Sequence, residues 1–414
     1  MKNHSGQIIG VLQFINRKTS PDIKLINNEI TEGNTLPFTD ELAEVLLALS
    51  SQAAIAIDNA TLITQIQNLF EGFVEASVTA IEQRDPTTSG HSFRVANLTT
   101  SLALALPRSS FSRFKDLSFD QTQIREIRYA SLLHDFGKVG VREHVLVKAE
   151  KLPERGLELI RLRFAVFKEQ LARTIERERL DYILAHGREA YRAHAHVFDE
   201  RLRSEWERFS TFFGEIEAAN QPTILPEGRF NHLEQIRDQP IFMIGQGEEC
   251  LLSQDEFMAL SVKKGSLTPA ERLEIESHVR HTFNFLKRIP WTPDLRGAPE
   301  IAYAHHEKLD GTGYPLGLSA DQIPLPSKIM TVADIFDALT ASDRPYKPAM
   351  PTSRALEILE AEAGRGQLDG DLVKVFIEAD IFKCTEQVPA SFGDYPGFHK
   401  NFIQRNVCDI DLPV

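Results

Sequence analysis

Positive charge and cysteine are both scarce in this sequence of 414 residues. Lys and Arg number 46 against 59 Asp and Glu, so the net charge is −13. No overall positive field therefore exists to hold a nucleic-acid duplex, and a small anionic substrate would need local compensation from metal ions or a few cationic side chains. The three cysteines, Cys250, Cys384 and Cys408, are far apart and form no CxxC pair, which is typical of a reducing compartment.

Long apolar runs are also lacking. No uninterrupted run approaches the roughly 18–20 residues that span a bilayer, and the N-terminus lacks the basic start and apolar stretch of a signal peptide. We therefore predict a cytoplasmic protein with no membrane partner. The composition, 42% hydrophobic and 25% charged, is that of an ordinary globular protein, and the length allows two or three domains of roughly 100–200 residues each.

The N-terminal part of the chain predicts a strand followed by a long helix. Residues 6–16 are rich in β-branched side chains and open with a glycine, which is typical of a strand. After Thr39, apolar residues recur at steps of three and four: Leu42, Val45, Leu46, Leu49, Ala53, Ile57 and Ala60. A periodic stretch of this length predicts a linker helix that pairs with a second copy of the chain, or, alternatively, one that packs on its own domain.

From about residue 70 the sequence predicts helix after helix, with few strand signals. Within residues 149–263 the apolar side chains follow helical spacing and are flanked by many charges of both signs. This pattern predicts a helical hairpin whose charges are solvated faces rather than a binding surface.

The dipeptide His134-Asp135 lies in an apolar helical pattern that stops at Gly137. Burying an unpaired carboxylate costs several kcal/mol, and a bound cation removes that cost. Imidazole and carboxylate groups suit Fe, Mn or Zn, and one carboxylate can bridge two ions. A single His-Asp pair is weak evidence by itself, because hydrogen bonds within the protein would also satisfy it.

Other titratable residues occur in short motifs elsewhere in the chain. His278 follows a capping-box pattern that begins at Thr268, and Asp334 is flanked by apolar residues of another predicted helix. His91 and the pair His305-His306 complete the set. Each of these, taken alone, is more typical of a capped or hydrogen-bonded structural residue than of a metal ligand.

The order of these residues resembles that of the HD superfamily of metal-dependent phosphohydrolases. The segment HHEKLDGTGYP at residues 305–315 is similar to the signature of the HD-GYP family. The resemblance covers roughly residues 70–148 and 263–382, and it includes four further segments, at residues 134–138, 267–269, 333–339 and 343–347.

The resemblance implies an all-helical fold that binds two or three metal ions, often iron or manganese, and hydrolyses cyclic di-GMP to pGpG or GMP. It implies metal-ligand roles for seven residues, with Asp135 bridging: His91, His134, Asp135, His278, His305, His306 and Asp334. It also implies that Lys138, Arg344 and Lys347 contact substrate phosphates, with Asp135 and Lys138 as the catalytic residues. Gly313, Tyr314 and Pro315 are expected to shape the substrate-binding loop.

The beginning of the chain resembles the end of a GAF sensory domain, of which only the closing third is present. We therefore expect a mainly α fold in which a helical HD-type domain carries a helical insertion and follows a partial α/β GAF segment and a linker helix. The expected boundaries are 1–66 for the GAF-like part and its exit helix, 67–148 and 264–383 for the catalytic domain, 149–263 for the insertion and 384–414 for a tail.

Two departures from the family pattern affect this interpretation. The insertion at residues 149–263 is absent from the family pattern, and it could act as a lid or as a docking arm for another signalling protein. Thr87 stands where family members with three metals carry a glutamate, which favours two divalent metal ions. Asp337, one turn after Asp334, could orient a ligand histidine, or it could merely cap a helix or form a salt bridge.

The sequence leaves three functions open. The first is an active cyclic di-GMP phosphodiesterase in which water activated by two cations attacks the phosphodiester. The second is a silent protein that binds cyclic di-GMP or docks a signalling partner; the intact ligand set favours the enzyme instead. The third is hydrolysis of another cyclic dinucleotide or a phosphomonoester, because metal chemistry does not select the base.

Overall fold

The computed structural model describes residues 1–84, 90–222, 229–243, 247–341 and 349–385. Most of them are helical, which confirms the predicted fold class. Two antiparallel strand pairs accompany the helices, β1 (Arg17–Lys18) with β2 (Thr35–Leu36), and β3 (Pro240–Met243) with β4 (Gly247–Cys250). The helices are α1 (Asn28–Asn34), α2 (Asp40–Arg84), α3 (His91–Ala105), α4 (Gln121–Leu133), α5 (Glu143–Leu146), α6 (Gly156–Asn220), α7 (Arg229–Arg237), α8 (Gln254–Leu260), α9 (Pro269–Glu276), α10 (His278–Leu286), α11 (Ala298–Tyr303), α12 (Leu325–Thr340), α13 (Thr352–Gly364) and α14 (Gly370–Glu378).

The described residues form two compact units, Met1–Ala76 and the part from Ser77 onwards. In the first unit the strand predicted at residues 6–16 is wrong, because only an isolated bridge between Lys2 and Ile8 forms there. A strand is held by a ladder of hydrogen bonds to a neighbour, and this segment has no such ladder. Its apolar side chains stay exposed, as at Val11.

The predicted long helix is α2, which runs for 45 residues. The Nδ1 atom of His4 lies 2.8 Å from Oδ2 of Asp58, so residues near the N-terminus cover one face of this helix.

By length and composition alone, α2 is the helix in the described part of the chain that could cross a membrane. A count of uninterrupted apolar residues misses it because polar residues are interspersed. Such a helix also occurs outside membranes, so the cytoplasmic location and the absence of a membrane partner stay predictions.

The core of the second unit is built from helices that pack around α3. Helix α3 packs against α4 and α12, while α10 packs against α11 and the 3₁₀ turn Phe136–Gly140. Local sequence fixes several helix ends. The predicted capping box at Thr268 is present: its Oγ1 accepts a hydrogen bond from the Glu271 amide, and Glu271 accepts one from the Thr268 amide.

Helix α6 is a hairpin of two antiparallel arms, residues 156–186 and 188–220. Gly187 makes the bend with a φ of 84°, a conformation that residues with a Cβ rarely adopt. Arg179 pairs with Asp199 and Arg201 pairs with Glu178 across the arms, each at 2.6 Å. The hairpin expected from apolar spacing is therefore present.

The hairpin and the segments after it have a separate hydrophobic core, which residues 152–260 supply. The two ends of the surrounding segment meet, since the Ser266 hydroxyl donates to the carbonyl of Lys148 at 2.9 Å and Lys148 Nζ lies 2.7 Å from Glu271. The core residues are Leu152, Ile160, Phe164, Phe209, Ile216, Ala219, Leu233, Ile236, Leu251, Leu252, Phe257, Ala259 and Leu260. The predicted domain boundaries themselves stay predictions.

Candidate metal centre

Close packing of a glycine places the His134-Asp135 dipeptide against helix α10. A Cβ on Gly137 would lie 1.9 Å from the carbonyl oxygen of His278, so only glycine fits at this position. The Thr282 hydroxyl joins the two elements, because it accepts from the Gly137 amide and donates to the His134 carbonyl, both at 2.8 Å. This contact brings residues 148 positions apart in sequence to one site.

Three histidines at the site share one geometry. In His134, His278 and His305, Nδ1 donates to the carbonyl oxygen three residues earlier, at 2.6 Å in each case. The three Nε2 atoms are buried and have no hydrogen-bond partner. The carbonyl contact fixes the tautomer and leaves the Nε2 lone pair directed into the site. A buried acceptor without a partner is costly, and a cation would remove that cost. The residues present therefore fit a metal ion.

A first group of donors surrounds one side of the Asp135 carboxylate. His91 Nε2 lies 3.2 Å from Asp334 Oδ1 and 3.6 Å from Asp135 Oδ2. His134 Nε2 lies 3.4 Å from the same Asp135 oxygen and 3.8 Å from the same Asp334 oxygen. These four side chains offer two imidazole nitrogens and two carboxylate oxygens, a mixture that suits iron, manganese or zinc.

A second group lies on the other side of the same carboxylate. His278, His305 and His306 place one nitrogen each within 4.8 Å of one another. His278 Nε2 is 3.3 Å from Asp135 Oδ1, and His306 Nδ1 is 3.8 Å from Asp334 Oδ2. Asp135 thus turns one oxygen to each group, so a cation held by either group would have a carboxylate oxygen of Asp135 among its donors. All seven predicted ligands come together in this site.

Burial and neighbouring charges set the protonation of these groups. Burial opposes ionisation of Asp135, but Lys138 and His134 outweigh it and hold the carboxyl pKa well below its usual range. His91 and His306 do the same for the pKa of Asp334. Burial lowers the pKa of His134, and it lowers the pKa of His306 to about 4. These carboxylates and these two imidazoles are therefore in the protonation states that metal binding requires. His91 differs: burial opposes its protonation, but its contacts with Asp334 and Asp337 raise its pKa to about 10, so it must release a proton when it binds a cation.

His91 is oriented differently from the other histidines. Its Nδ1 donates to Asp337 Oδ2 at 2.8 Å, and Arg94 Nε donates to Asp337 Oδ1 at 2.7 Å. Burial opposes ionisation, but the His91 hydrogen bond leads the contacts that lower the pKa of Asp337. Asp337 therefore both orients a histidine and forms a salt bridge. Arg94 was not predicted from the sequence, although it lies three residues after His91, a spacing that places the two side chains on the same face of a helix.

The last turn of α2 contacts two segments of the site. Glu82 accepts hydrogen bonds from the amides of Gly90 at 2.8 Å and Ser92 at 3.2 Å, so it caps the helix that begins at His91. Arg84 donates to the carbonyl of Val141 at 2.8 Å and also to that of Val139, next to the 3₁₀ turn after Asp135. Neither residue was predicted from the sequence, because neither belongs to a local capping motif.

A buried carboxylate braces the loop that follows the histidine pair. Glu307 accepts from the Leu316 amide at 2.7 Å and from the Leu318 amide at 2.8 Å. A Cβ on Gly313 would lie 2.3 Å from the Lys308 amide nitrogen, so this position also requires glycine. The loop is therefore held in one conformation beside the donors.

The predicted substrate-binding residues are placed as follows. The Tyr314 ring lies 4.8 Å from the His306 ring, and a cis peptide bond joins Tyr314 to Pro315. Burial raises the pKa of Tyr314, so its phenol stays neutral. Lys138 Nζ lies 2.9 Å from Asp135 Oδ2. Arg344, Lys347 and Thr87 lie outside the described residues, so the inferences drawn from them stay predictions.

Comparison with known proteins agrees with this site. Residues 88–212 and 255–372 match two family models, each described as an HD domain. The chain therefore contains HD-domain sequence in both of the segments that supply the donor side chains.

Similar proteins include phosphodiesterases of cyclic dinucleotides. Over 102 residues the chain is 45% identical to a 3'3'-cGAMP-specific phosphodiesterase 3 of Vibrio cholerae, which covers 25% of this chain and 21% of that protein. It is 38% identical over 119 residues to a cyclic di-GMP phosphodiesterase of Thermotoga maritima, covering 29% and 32%. A cyclic di-GMP phosphodiesterase of Vibrio cholerae is 36% identical over 123 residues, covering 29% and 25%. The chain thus matches about a third or less of the length of each.

Proposed function

We propose that this protein is a metal-dependent phosphodiesterase that hydrolyses cyclic di-GMP to pGpG or GMP. The observation that carries the proposal is the set of three buried Nε2 atoms without partners, directed at the two carboxylates that complete the donor groups. The HD-domain matches and the similarity to cyclic di-GMP phosphodiesterases support it.

The residues of the site have distinct roles in this proposal. His91, His134 and Asp334 would hold one divalent cation, the three histidines of the second group would hold another, and Asp135 would offer one oxygen to each. Two such ions, with Fe or Mn expected, would supply the positive charge that polarises a phosphodiester and lowers the pKa of a water molecule. Lys138 adds positive charge beside the scissile phosphate, together with Arg344 and Lys347. The neutral ring of Tyr314 bounds the nucleotide side of the site.

A second candidate substrate is 3'3'-cGAMP. Several similar proteins carry that specificity in their names, including the 45% identical one. The two nucleotides have the same phosphodiester ring and differ in one base, so the metal donors act on both alike. Turnover of each nucleotide by anaerobically purified protein, with elemental analysis of the same sample, decides between them.

A silent binding protein is the alternative from another class. The variants His134→Ala and Asp135→Ala each remove a donor, so both should lose bound transition metal and turnover of cyclic di-GMP. An alanine at exposed His232, outside the site, serves as the control. Full activity in either site variant would refute the enzyme assignment, and binding without turnover in the unaltered protein would favour the silent one.

The remaining features of the proposal concern regulation. We propose, on the sequence resemblance alone, that residues 1–66 are a GAF-like segment and its exit helix. We further propose that α2 mediates a homodimer, that the α6 hairpin is a lid or a docking arm for a signalling protein, and that the chain works in the cytoplasm without membrane or nucleic-acid duplex.

A further inference from the structure

Ten residues of α2 form a continuous exposed row, which we call the seam. They follow one another at alternating steps of three and four residues, and every one of them is exposed. The large apolar members are between 42% and 75% exposed. The seam consists of Val45, Ala48, Gln52, Ile55, Asn59, Leu62, Ile66, Leu69, Phe73 and Ala76.

The seam shares Val45 with the apolar stripe predicted from the sequence but otherwise follows another row of the helix. In that stripe Leu42, Leu46 and Ala53 are half-buried, next to buried Ala54 and to Asp58, which bonds His4. Residues of the N-terminal segment therefore already cover that face of the helix. The seam lies on a different face.

The spacing of the seam indicates that a second helix, rather than a globular core, would cover it. A row that advances by three and four residues in turn has a period of 3.5, which keeps it facing one partner helix in a left-handed two-stranded coiled coil. A helix that merely packs on a globular core shows a broader stripe with a period of 3.6.

The two amide side chains of the seam favour a parallel orientation of the two paired helices. Gln52 and Asn59 are seven residues apart, so both occupy the same heptad position, and the other eight members are apolar. In a parallel pair in register, each amide faces its own counterpart and can hydrogen-bond to it. In an antiparallel pair centred on the seam, Gln52 would face Leu69 and Asn59 would face Leu62, which buries amides against leucines at a cost. A single buried Asn at such a position also selects two strands.

The charge of the seam and the surface area that it can bury both fit a second copy of this chain as the partner. The seam contains no charged residue, so two copies meet without repulsion along it. Glu71 and Glu75 lie at heptad positions that face away from the partner. The large apolar side chains of two copies together offer on the order of 1,000 Å² of buried surface, about the area that a specific interface needs.

We propose that α2 binds α2 of a second copy of this chain as a parallel, in-register, two-stranded coiled coil along residues 45–76. This proposal deepens the homodimer suggested above by naming the surface, the orientation and the residues that set the register. Asn59 meets Asn59 of the second copy, and Gln52 meets its counterpart one heptad earlier.

The mass of the full-length protein in solution tests the surface. We expect twice the chain mass of 46.7 kDa at micromolar concentration. Leu69→Glu places a charge in the seam and should halve the mass. Leu47→Glu is the matched control, because Leu47 is 67% exposed on the same helix but outside the seam, and it should leave the dimer intact. A monomeric unaltered protein, or a Leu69→Glu dimer, would overturn the proposal.

Cross-linking tests the orientation. In a background with Cys250→Ser, Cys384→Ala and Cys408→Ser, Gln52→Cys should give a covalent dimer on mild oxidation, because the two introduced thiols face each other only in the parallel register. If a mixture of Gln52→Cys and Leu69→Cys chains instead forms a disulfide between the two different variants, the pair is antiparallel and the proposal is wrong. Binding of monomeric protein to phosphatidylcholine vesicles would show that a membrane covers the seam, and would overturn it as well.

The same samples separate this proposal from the proposed enzyme function. Leu69 lies outside the donor groups, so Leu69→Glu should retain its bound metal. Metal content with turnover in a monomeric unaltered protein would refute the coiled coil and leave the function standing. A cross-linked parallel dimer that neither holds metal nor hydrolyses cyclic di-GMP would refute the function and leave the coiled coil standing.

Discussion

The histidines of the site donate from Nδ1 to two kinds of acceptor. Three histidines donate to backbone carbonyls of their own local turns, whereas His91 donates to the ionised side chain of Asp337. A carboxylate raises the basicity of the ring more than a carbonyl does and strengthens the bond from the opposite nitrogen to a cation. His91 is therefore the donor whose strength a single substitution can adjust.

The variant Asp337→Asn tests this. The amide keeps an oxygen acceptor but removes the negative charge, and it loses part of the contact with Arg94. We expect affinity for the metal of the first donor group to fall about 10- to 100-fold, a typical cost for losing such a carboxylate. Competition with a chelator measures it, and Asp321→Asn, an exposed acid away from the site, is the control. Unchanged metal affinity would contradict the role of Asp337.

At the scale of elements, the site depends on contacts between side chains of one helix and the end of another, outside any local sequence motif. The helix that begins at His91 has no side-chain cap at Gly90, and Glu82 of the preceding helix serves in its place. A helix start without a cap costs about 0.5–2 kcal/mol. The capping residue thus also fixes the position of a predicted ligand.

Replacing Glu82 by alanine should therefore lower both stability and metal content. We expect the unfolding temperature to drop by about 1–2 °C, because the effect of roughly 1 kcal/mol is divided by an unfolding entropy that grows with chain length. Calorimetry and elemental analysis measure the two effects. Gln83→Ala alters the next, exposed position of the same turn and should change neither. A normal metal content in the Glu82 variant would show that the cap does not position His91.

A feature could be predicted from the sequence when it depends on residues close together in the chain, and could not when it depends on tertiary packing. The donor side chains were predicted because their order and local motifs resemble those of the HD-GYP family, and the hairpin was predictable from the spacing of residues such as Phe164 and Phe209. The strand at residues 6–16 was not, because its β-branched residues need a neighbouring strand that the described residues do not supply. Glu82 and Arg94 were missed because their partners are set by tertiary packing.

At the scale of the whole molecule, the α6 hairpin has its own core and joins the rest through adjacent ends. Replacing residues 150–262 by a short Gly-Ser linker should therefore leave the donor groups intact. We expect the shortened protein to bind the same number of metal ions per chain as the full one, as elemental analysis would show. A Gly-Ser linker inserted after exposed Gln221, without any deletion, controls for the added sequence. Loss of metal in the shortened protein alone would mean that the hairpin helps to build the site.

Removal of the metal is the second test at this scale. The carbonyl contacts of His134, His278 and His305 orient three donors without help from a cation. Treatment with a chelator should therefore abolish turnover while the helical circular dichroism stays the same, in contrast to small metal-dependent domains that unfold. The free energy of unfolding should fall only by the amount that metal binding contributes through linkage. Collapse of the helical signal would contradict this.

Those carbonyl contacts also bear on the order of folding and metal binding. We expect folding to precede metal binding, because the protein's own carbonyl groups already orient the three imidazoles. Metal supply would then regulate the proposed activity of folded protein without new synthesis.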